Sequence, residues 1–481
     1  MSLQSVVKNI QDIMRQDAGV DGDAQRLSQI VWMLFLKIFD DQEEQLELTT
    51  RSYASPIPAK LRWRAWATNA EGMTGDELLH FINNELFPGL KDLSVDPQKD
   101  PRGFIVREVF TDAYNYMKTG TLIRQVINKL DEVDFNKSED RHHFNEVYEH
   151  MLKELQAAGN AGEYYTPRPL TQFIVEMVSP RLGERILDPA CGTGGFLVNA
   201  LQYVRTHEVK TAAEEQRLQA SIRGTELKNL PHMLAITNLI LHGVEVPSGI
   251  LRDDSLARPL ADIAASGEAD VIFANPPFGG VVKEGTQKHF PADLRSKETQ
   301  LLFLVLFIRL LSPRGRAGIV LPDGVLFGEG AAGRVKEKLL AECNVHTIIR
   351  LPPGVFSPYA GVNTNLVFFE KGTPTKEVWY YQMPLPEGVR AYTKGRPIQH
   401  EEFAPIAKWW GGPTRKGRKE SEYAWKVSIE DIRARAFNLD FKNPNGPTAV
   451  AHKNPTQLLG DIKRIENDII ATLNEIDTAG A

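Results

Sequence analysis

Between residues 184 and 371 short strand-like segments alternate with helical connections, and this alternation limits the possible folds of the 481-residue chain more than any other feature. The segments are 184-ERILDP-189, 221-SIRGTEL-227, 249-GILRDD-254, 269-ADVIFA-274, 316-RAGIVLP-322, 346-HTIIRLP-352 and 364-TNLVFFEK-371, and 331-AAGRVKEKLLAEC-343 typifies the connections. Strands joined by crossover helices form a parallel sheet covered on both faces, so a doubly wound, Rossmann-like α/β sheet is expected. Ligands in such sheets sit beyond the carboxyl ends of the strands.

The flanks read differently. Residues 1 to about 155 are expected to form a helical N-terminal domain. There, Leu27, Ile30, Val31, Leu34, Phe35 and Ile38 make one apolar helix face, 50-TRSYASPIPAKLRWRAW-66 interrupts the pattern, and 141-RHHFNEVYEHMLKELQAAG-159 closes the region as a helix. These helices suit either a structural cap or a surface for DNA or a partner. A sheet domain over 156–400 and a C-terminal extension over 401–481 follow. In the extension, 408-KWWGGPTRKGRKESEYAW-425 reads as a solvated loop in preference to a nucleic-acid contact, and Leu458, Ile462, Ile465, Ile469, Leu473 and Ile476 form a seam suited to helix pairing. Its partner could be another subunit or the N-terminal helices of the same chain.

Composition excludes several classes. The longest apolar run, 301-LLFLVLFI-308, is far short of the roughly 20 residues of a membrane span, and the amphipathic N-terminus does not read as a signal peptide. Two cysteines, Cys191 and Cys343, give no disulfide framework and no metal-ligand spacing, so a reducing cytoplasm and a metal-free site are expected. The net charge of −6 argues against broad, unaided attraction to a polyanion. If DNA is the substrate, a local basic surface or a partner subunit must hold it.

The first strand runs into 188-DPACGTGGF-196, a glycine-rich turn in which Leu197 stands where a dinucleotide fingerprint would have its third glycine. The turn suits close backbone approach to a ligand that need not carry phosphate, with Asp188 available to a cationic group. Glu226 ends the second strand, where a carboxylate can accept both hydroxyls of a ribose, and Asp254 ends the third, where it can accept an adenine amino proton. Amino acid, sugar and base, in that order, are the parts of S-adenosylmethionine. The fourth strand ends in 275-NPPF-278. The prolines stop the strand and restrict the backbone, so the Asn275 side-chain oxygen and the Pro276 carbonyl are held as acceptors while Phe278 offers an aromatic face. Acceptors at an amino nitrogen would draw it toward a tetrahedral form with its lone pair directed at a methyl donor.

Taken in order, 162-GEYYTPRPL-170, 188-DPACGTGGF-196 and 275-NPPF-278 resemble the amino-methyltransferases of DNA. With the helical N-terminal region, 321-LPDGVLF-327 and 350-RLPPGVF-356, the chain is similar over residues 1 to about 440 to the modification (M) subunits of type I restriction-modification systems. The resemblance implies N6-methylation of an adenine flipped out of double-stranded DNA, with S-adenosylmethionine as cofactor. It implies that Glu163, Tyr164, Tyr165, Thr166, Pro167 and Arg168 close over the cofactor, that Thr193, Gly194 and Gly195 lie against its methionine part with Gly192 also binding the cofactor, and that Glu226 holds its ribose. Asn275, Pro276, Pro277 and Phe278 would form the base pocket, and 364–371 would be inserted antiparallel in the sheet. A specificity (S) subunit flanked by two M subunits would read the DNA sequence, and a restriction (R) subunit would join. Methylation of a protein glutamine amide or an RNA base, and a catalytically silent assembly role, are the competing readings.

Overall fold

The computed structural model describes residues 3–133, 165–357 and 361–445, together with Lys463 and Glu466. The helix expected over 141–159 lies outside the described residues, as does all but Lys463 and Glu466 of the one expected over 458–476.

Nine strands form one sheet: β1 (Ile186–Asp188), β2 (Ile222–Glu226), β3 (Ile250–Arg252), β4 (Ala269–Ala274), β5 (Leu311–Pro322), β6 (Cys343–Arg350), β7 (Thr364–Lys371), β8 (Glu377–Gln382) and β9 (Ala424–Ser428). Their order is β3-β2-β1-β4-β5-β7-β6-β8-β9. Strands β1 to β5 pair in parallel, and β7 enters antiparallel between β5 and β6. The carboxyl ends of β4, β5, β6 and β8 therefore share one edge of the sheet with the start of β7.

Period-two alternation sorts side chains onto two faces. On β4, Val271 and Phe273 enter the core shared with helices Arg168–Val178, Gly195–Glu208 and Asn229–Leu241, while Ile272 and Ala274 face the core built on Thr299–Leu310 and Ala331–Glu342. Strand β7 divides in the same way, with Leu366 and Phe368 on one side and Val367 and Phe369 on the other. The sheet is thus covered on both faces, as expected of a doubly wound fold.

Helix Asn229–Leu241 is buried at every residue from Pro231 to Leu241. It lies between the sheet and helix Asp23–Thr49, so it has no solvent face to mark with polar residues. This contact joins the helical N-terminal region to the sheet in one core, in which Trp32 packs edge-on to Phe87 at 5.0 Å. Arg102 clamps the same junction. Its guanidinium lies 4.7 Å from the Phe39 ring centre, and it donates to Glu43 at 2.6 Å and to the Glu245 carbonyl at 3.1 Å.

The sheet continues past residue 400, and the two ends of the segment 408–425 pack against it, while residues 412–422 between them form the largely exposed loop that the composition suggests. Trp410 ends helix Ala404–Trp410, Trp425 belongs to β9, and both are buried. The Arg418 guanidinium lies 4.7 Å from the Trp409 ring centre and 4.5 Å from that of Trp410, and donates to Thr347 Oγ1 at 2.7 Å. Arg418 thus packs on two rings of its own segment, while Lys408, Lys416 and Lys419 are exposed.

Candidate active site

A cleft of about 550 Å³ lies at the carboxyl ends of β1, β2, β3 and β4. Thr166, Asp188, Gly192, Thr193, Gly195, Glu226, Asp254, Asn275 and Pro277 all line it. The chain thus brings together expected residues up to 111 positions apart, from Thr166 to Pro277.

At one end of the cleft the glycine loop turns from β1 into helix Gly195–Glu208. Gly192 and Gly194 adopt left-handed φ of 54° and 78°, conformations that favour glycine. The loop is bonded to its neighbours: Cys191 N–H donates to the Thr225 carbonyl at 3.0 Å, and Gly192 N–H donates to Glu226 Oε2 at 3.0 Å. Glu226 Oε1 accepts from Lys228 N–H at 2.8 Å, so one carboxylate ties the end of β2 to the loop after β1. Burial pushes the Glu226 carboxyl above the usual carboxylate range despite these amides. Asp188 is only 1% exposed. It accepts from Ala190 N–H at 3.0 Å, and burial, with the Glu226 charge adding to it, pushes its carboxyl up to about 8. Burial therefore favours the neutral form of Asp188, the carboxyl that the sequence makes available to a cationic group.

At the other end, Asn275 leaves β4 with its side chain in a defined orientation. Its Nδ2 donates to Thr166 Oγ1 at 3.0 Å, while its Oδ1 is buried and accepts no hydrogen bond among the described residues. Pro277 lines the cleft, Pro276 is buried, and Phe278 stands edge-on to Phe356 with ring centres 5.7 Å apart. Beyond this shelf the chain folds back, with Thr299 N–H donating to the Gly280 carbonyl at 3.0 Å and Val282 N–H to Lys297 at 2.9 Å.

Other expected residues fall elsewhere. Tyr165 is buried, and Tyr165 and Pro167 do not line the cleft. Arg168 acts from behind, donating to the Gly195 carbonyl at 2.8 Å. Gly194 and Phe278 also lie outside the lining, and Glu163 and Tyr164 fall outside the described residues. Sequence reasoning missed Leu227, Asp253, Val281, Lys283, Thr299 and Phe303, all of which line the cleft. Leu227 carried a signal: an apolar residue immediately after a strand-ending carboxylate, it is 61% exposed at the mouth.

With β7 antiparallel between β5 and β6, a glycine loop after β1 and an amide shelf after β4, fold and site together fit a methyltransferase acting on a planar amino or amide nitrogen. Comparison with known proteins narrows the class. Residues 139–453 match the N-6 DNA Methylase family and residues 3–130 match the HsdM N-terminal domain. The chain is 53% identical over 484 residues to the type I restriction enzyme EcoEI methylase subunit of Escherichia coli, covering 100% of this chain and 98% of that one. It superposes on the crystal structure of a modification subunit of a putative type I restriction enzyme from Vibrio vulnificus with a TM-score of 0.82, at 41% identity and covering 92% of this chain and 97% of that one. It matches a chain from a structural study of complex assembly and conformational transition of the type I R-M system with a TM-score of 0.83, at 37% identity and covering 98% and 97%. The chain belongs to the N-6 DNA methylases, among the methylase (M) subunits of type I restriction enzymes.

Proposed function

We propose that the cleft binds S-adenosylmethionine and that Asn275 and Pro276 receive the amino group of an adenine extruded from double-stranded DNA. The carrying observation is Asn275 itself: Thr166 holds its Nδ2, and its buried Oδ1 has no partner. A buried acceptor left unbonded costs about 1–3 kcal/mol, and an incoming amino group supplies the missing donor.

The residues fit the cofactor. Asp188, nearly neutral when the cleft holds no cation, becomes an anion beside the cofactor's ammonium, and Glu226 has lone pairs left for ribose hydroxyls. Asp254 Oδ1 already accepts from Leu256 N–H at 2.9 Å, which orients its carboxylate at the base end of the cleft. Leu227 gives the base an apolar wall. The cofactor supplies an activated methyl group on a positively charged sulfur. The protein's part is alignment: Asn275 Oδ1 and the Pro276 carbonyl accept both amino protons, so the nitrogen lone pair turns toward the methyl group. Phe278, braced by Phe356, offers a face to a base that must leave the duplex to react.

Relatives named as subunits of type I restriction enzymes support a role for this chain within a complex, and we propose its make-up as follows. One S subunit reads the DNA sequence, two copies of this chain flank it, and an R subunit joins. Among the described residues no helix is long and apolar enough to cross a membrane, and both cysteines are buried and free, which supports a reducing cytoplasm.

The test is mass spectrometry of DNA incubated with S-adenosylmethionine, this chain and the S subunit encoded with it. N6-methyladenine at one recurring sequence is expected. Methyl groups found only on RNA or on glutamine would overturn the proposal.

A further inference from the structure

A second pocket, of about 270 Å³, opens on the same edge of the sheet as Asn275. Its floor is a row of cross-strand neighbours: Asn365 at the start of β7 is paired with Arg350 at the end of β6, and Arg350 with Gln382 at the end of β8. Side chains paired across strands share a face, so the three stand side by side. Asp323, just past β5, accepts from Asn365 Nδ2 at 2.6 Å, and Arg350 Nη2 lies 3.8 Å from Asp323. Asn365 is fully buried, yet among the described residues its Oδ1 has no hydrogen-bond partner although the residue lines the pocket. The pocket therefore repeats the arrangement at Asn275: an amide pinned through its nitrogen, with its oxygen kept for a donor from outside.

The two sites are physically linked. Leu351, Pro352 and Pro353 form one wall of the second pocket, and three residues on Phe356 packs against Phe278 of the catalytic shelf. Three residues of chain span at most about 11 Å. At 3.4 Å per nucleotide along a strand, that is about three nucleotides.

We infer that this pocket, through Asn365 Oδ1 with Asp323, Arg350 and Gln382 beside it, holds a base of the substrate DNA within about three nucleotides of the flipped adenine, by the N–H or NH2 donors of its edge. The inference rests on the proposed function, because it takes DNA in the cleft as given. Two prolines fix the wall before DNA arrives, and the floor offers an acceptor and a carboxylate, with the Arg350 guanidinium beside them held by Asp440 at 2.5 Å and by the Phe441 carbonyl at 2.9 Å.

The test uses the complex with its S subunit and duplexes in which each of the three nucleotides on either side of the target adenine, and the base opposite it, is made abasic in turn. One position is expected to weaken DNA binding about tenfold in the wild type, and Asn365→Ala is expected to erase that difference while S-adenosylmethionine affinity stays the same. Gln382→Ala, at an exposed position, should reduce the same positional effect and covers the case in which Asn365→Ala does not fold. A wild type that methylates adenine, with every abasic position costing the same in wild type and variants, would overturn the inference and leave the proposed function standing. A wild type that methylates no adenine would sink both. Asn365-dependent binding of a free deoxynucleoside monophosphate, without any positional effect, would make this a nucleotide site unconnected to the substrate and would also overturn it.

Discussion

The two ends of the cleft use their polar atoms in opposite ways. At the glycine loop, both oxygens of Glu226 accept backbone amides, from Gly192 and Lys228, and Asp188 accepts one from Ala190. At the shelf, Asn275 makes one bond to Thr166 and keeps its oxygen free. The loop end is held together by the groups that would also meet a ligand, so changes there should disturb binding and local structure together. The shelf end separates these tasks, with Thr166 orienting and Asn275 acting. A change at Asn275 should therefore touch chemistry and little else.

The sharpest way to break this contrast is Asn275→Ala. It removes an acceptor that matters at the reacting nitrogen, and losing one such preorganised group costs about 100- to 1000-fold in kcat. Methylation should fall by at least about 100-fold while calorimetry gives an S-adenosylmethionine affinity within a few fold of wild type. Equal losses in both would mean that the two ends are not separable.

Asp188 tests the loop end through pH. Its carboxyl stands near 8 in the folded chain against an ordinary value of 3.8, so between these values the native state holds a proton that the unfolded chain has lost. This contribution to stability therefore declines as pH rises through the window and levels off above about 8. A cationic ligand needs the ionised form, so affinity runs the other way. It should rise by up to about tenfold per pH unit toward pH 8 and then flatten. Glu226, raised by the same burial, acts on stability in the same direction. In Asp188→Asn both slopes should be reduced, which titrations between pH 6 and 9 and melts over the same range would reveal.

Thr166→Val is the milder probe of the shelf. It leaves Asn275 in place but removes the acceptor that orients it, and a hydrogen bond of this kind is worth roughly 1 kcal/mol, or about fivefold. Turnover should drop by about that factor, and Thr166→Ser should restore it. A loss as large as that of Asn275→Ala would mean that Thr166 acts on the substrate directly.

The same contrast marks what could be read in the sequence. Strands β1 to β7 were legible because each is an apolar segment bounded by turn residues, and the strand ends named the cleft. Strands β8 and β9 were not. The former lies beyond the last expected strand, and the latter follows a stretch whose exposed lysines mask the packing of Arg418 on Trp409 and Trp410. Carboxylates at strand ends could be assigned from position alone. The bond between Thr166 and Asn275 could not, because it joins residues 109 apart, and neither could the packing of Phe356 on Phe278. Both depend on how β4, β6 and the chain before helix Arg168–Val178 converge, which no local pattern encodes.

Leu227 gives the smallest and most selective test. It follows Glu226 directly, lines the cleft and is 61% exposed, so it contributes little to the core. An exposed leucine at a cleft mouth has a reason to be there if a flat apolar ligand covers it. Leu227→Ala would then lose about 1 kcal/mol of contact area, roughly a fivefold weaker S-adenosylmethionine affinity. The melting temperature should not move, and kcat at saturating cofactor should be unchanged, since this wall meets the base of the cofactor and not its methyl group. A change in kcat without a change in affinity would place Leu227 with the shelf and would redraw the division between the two ends.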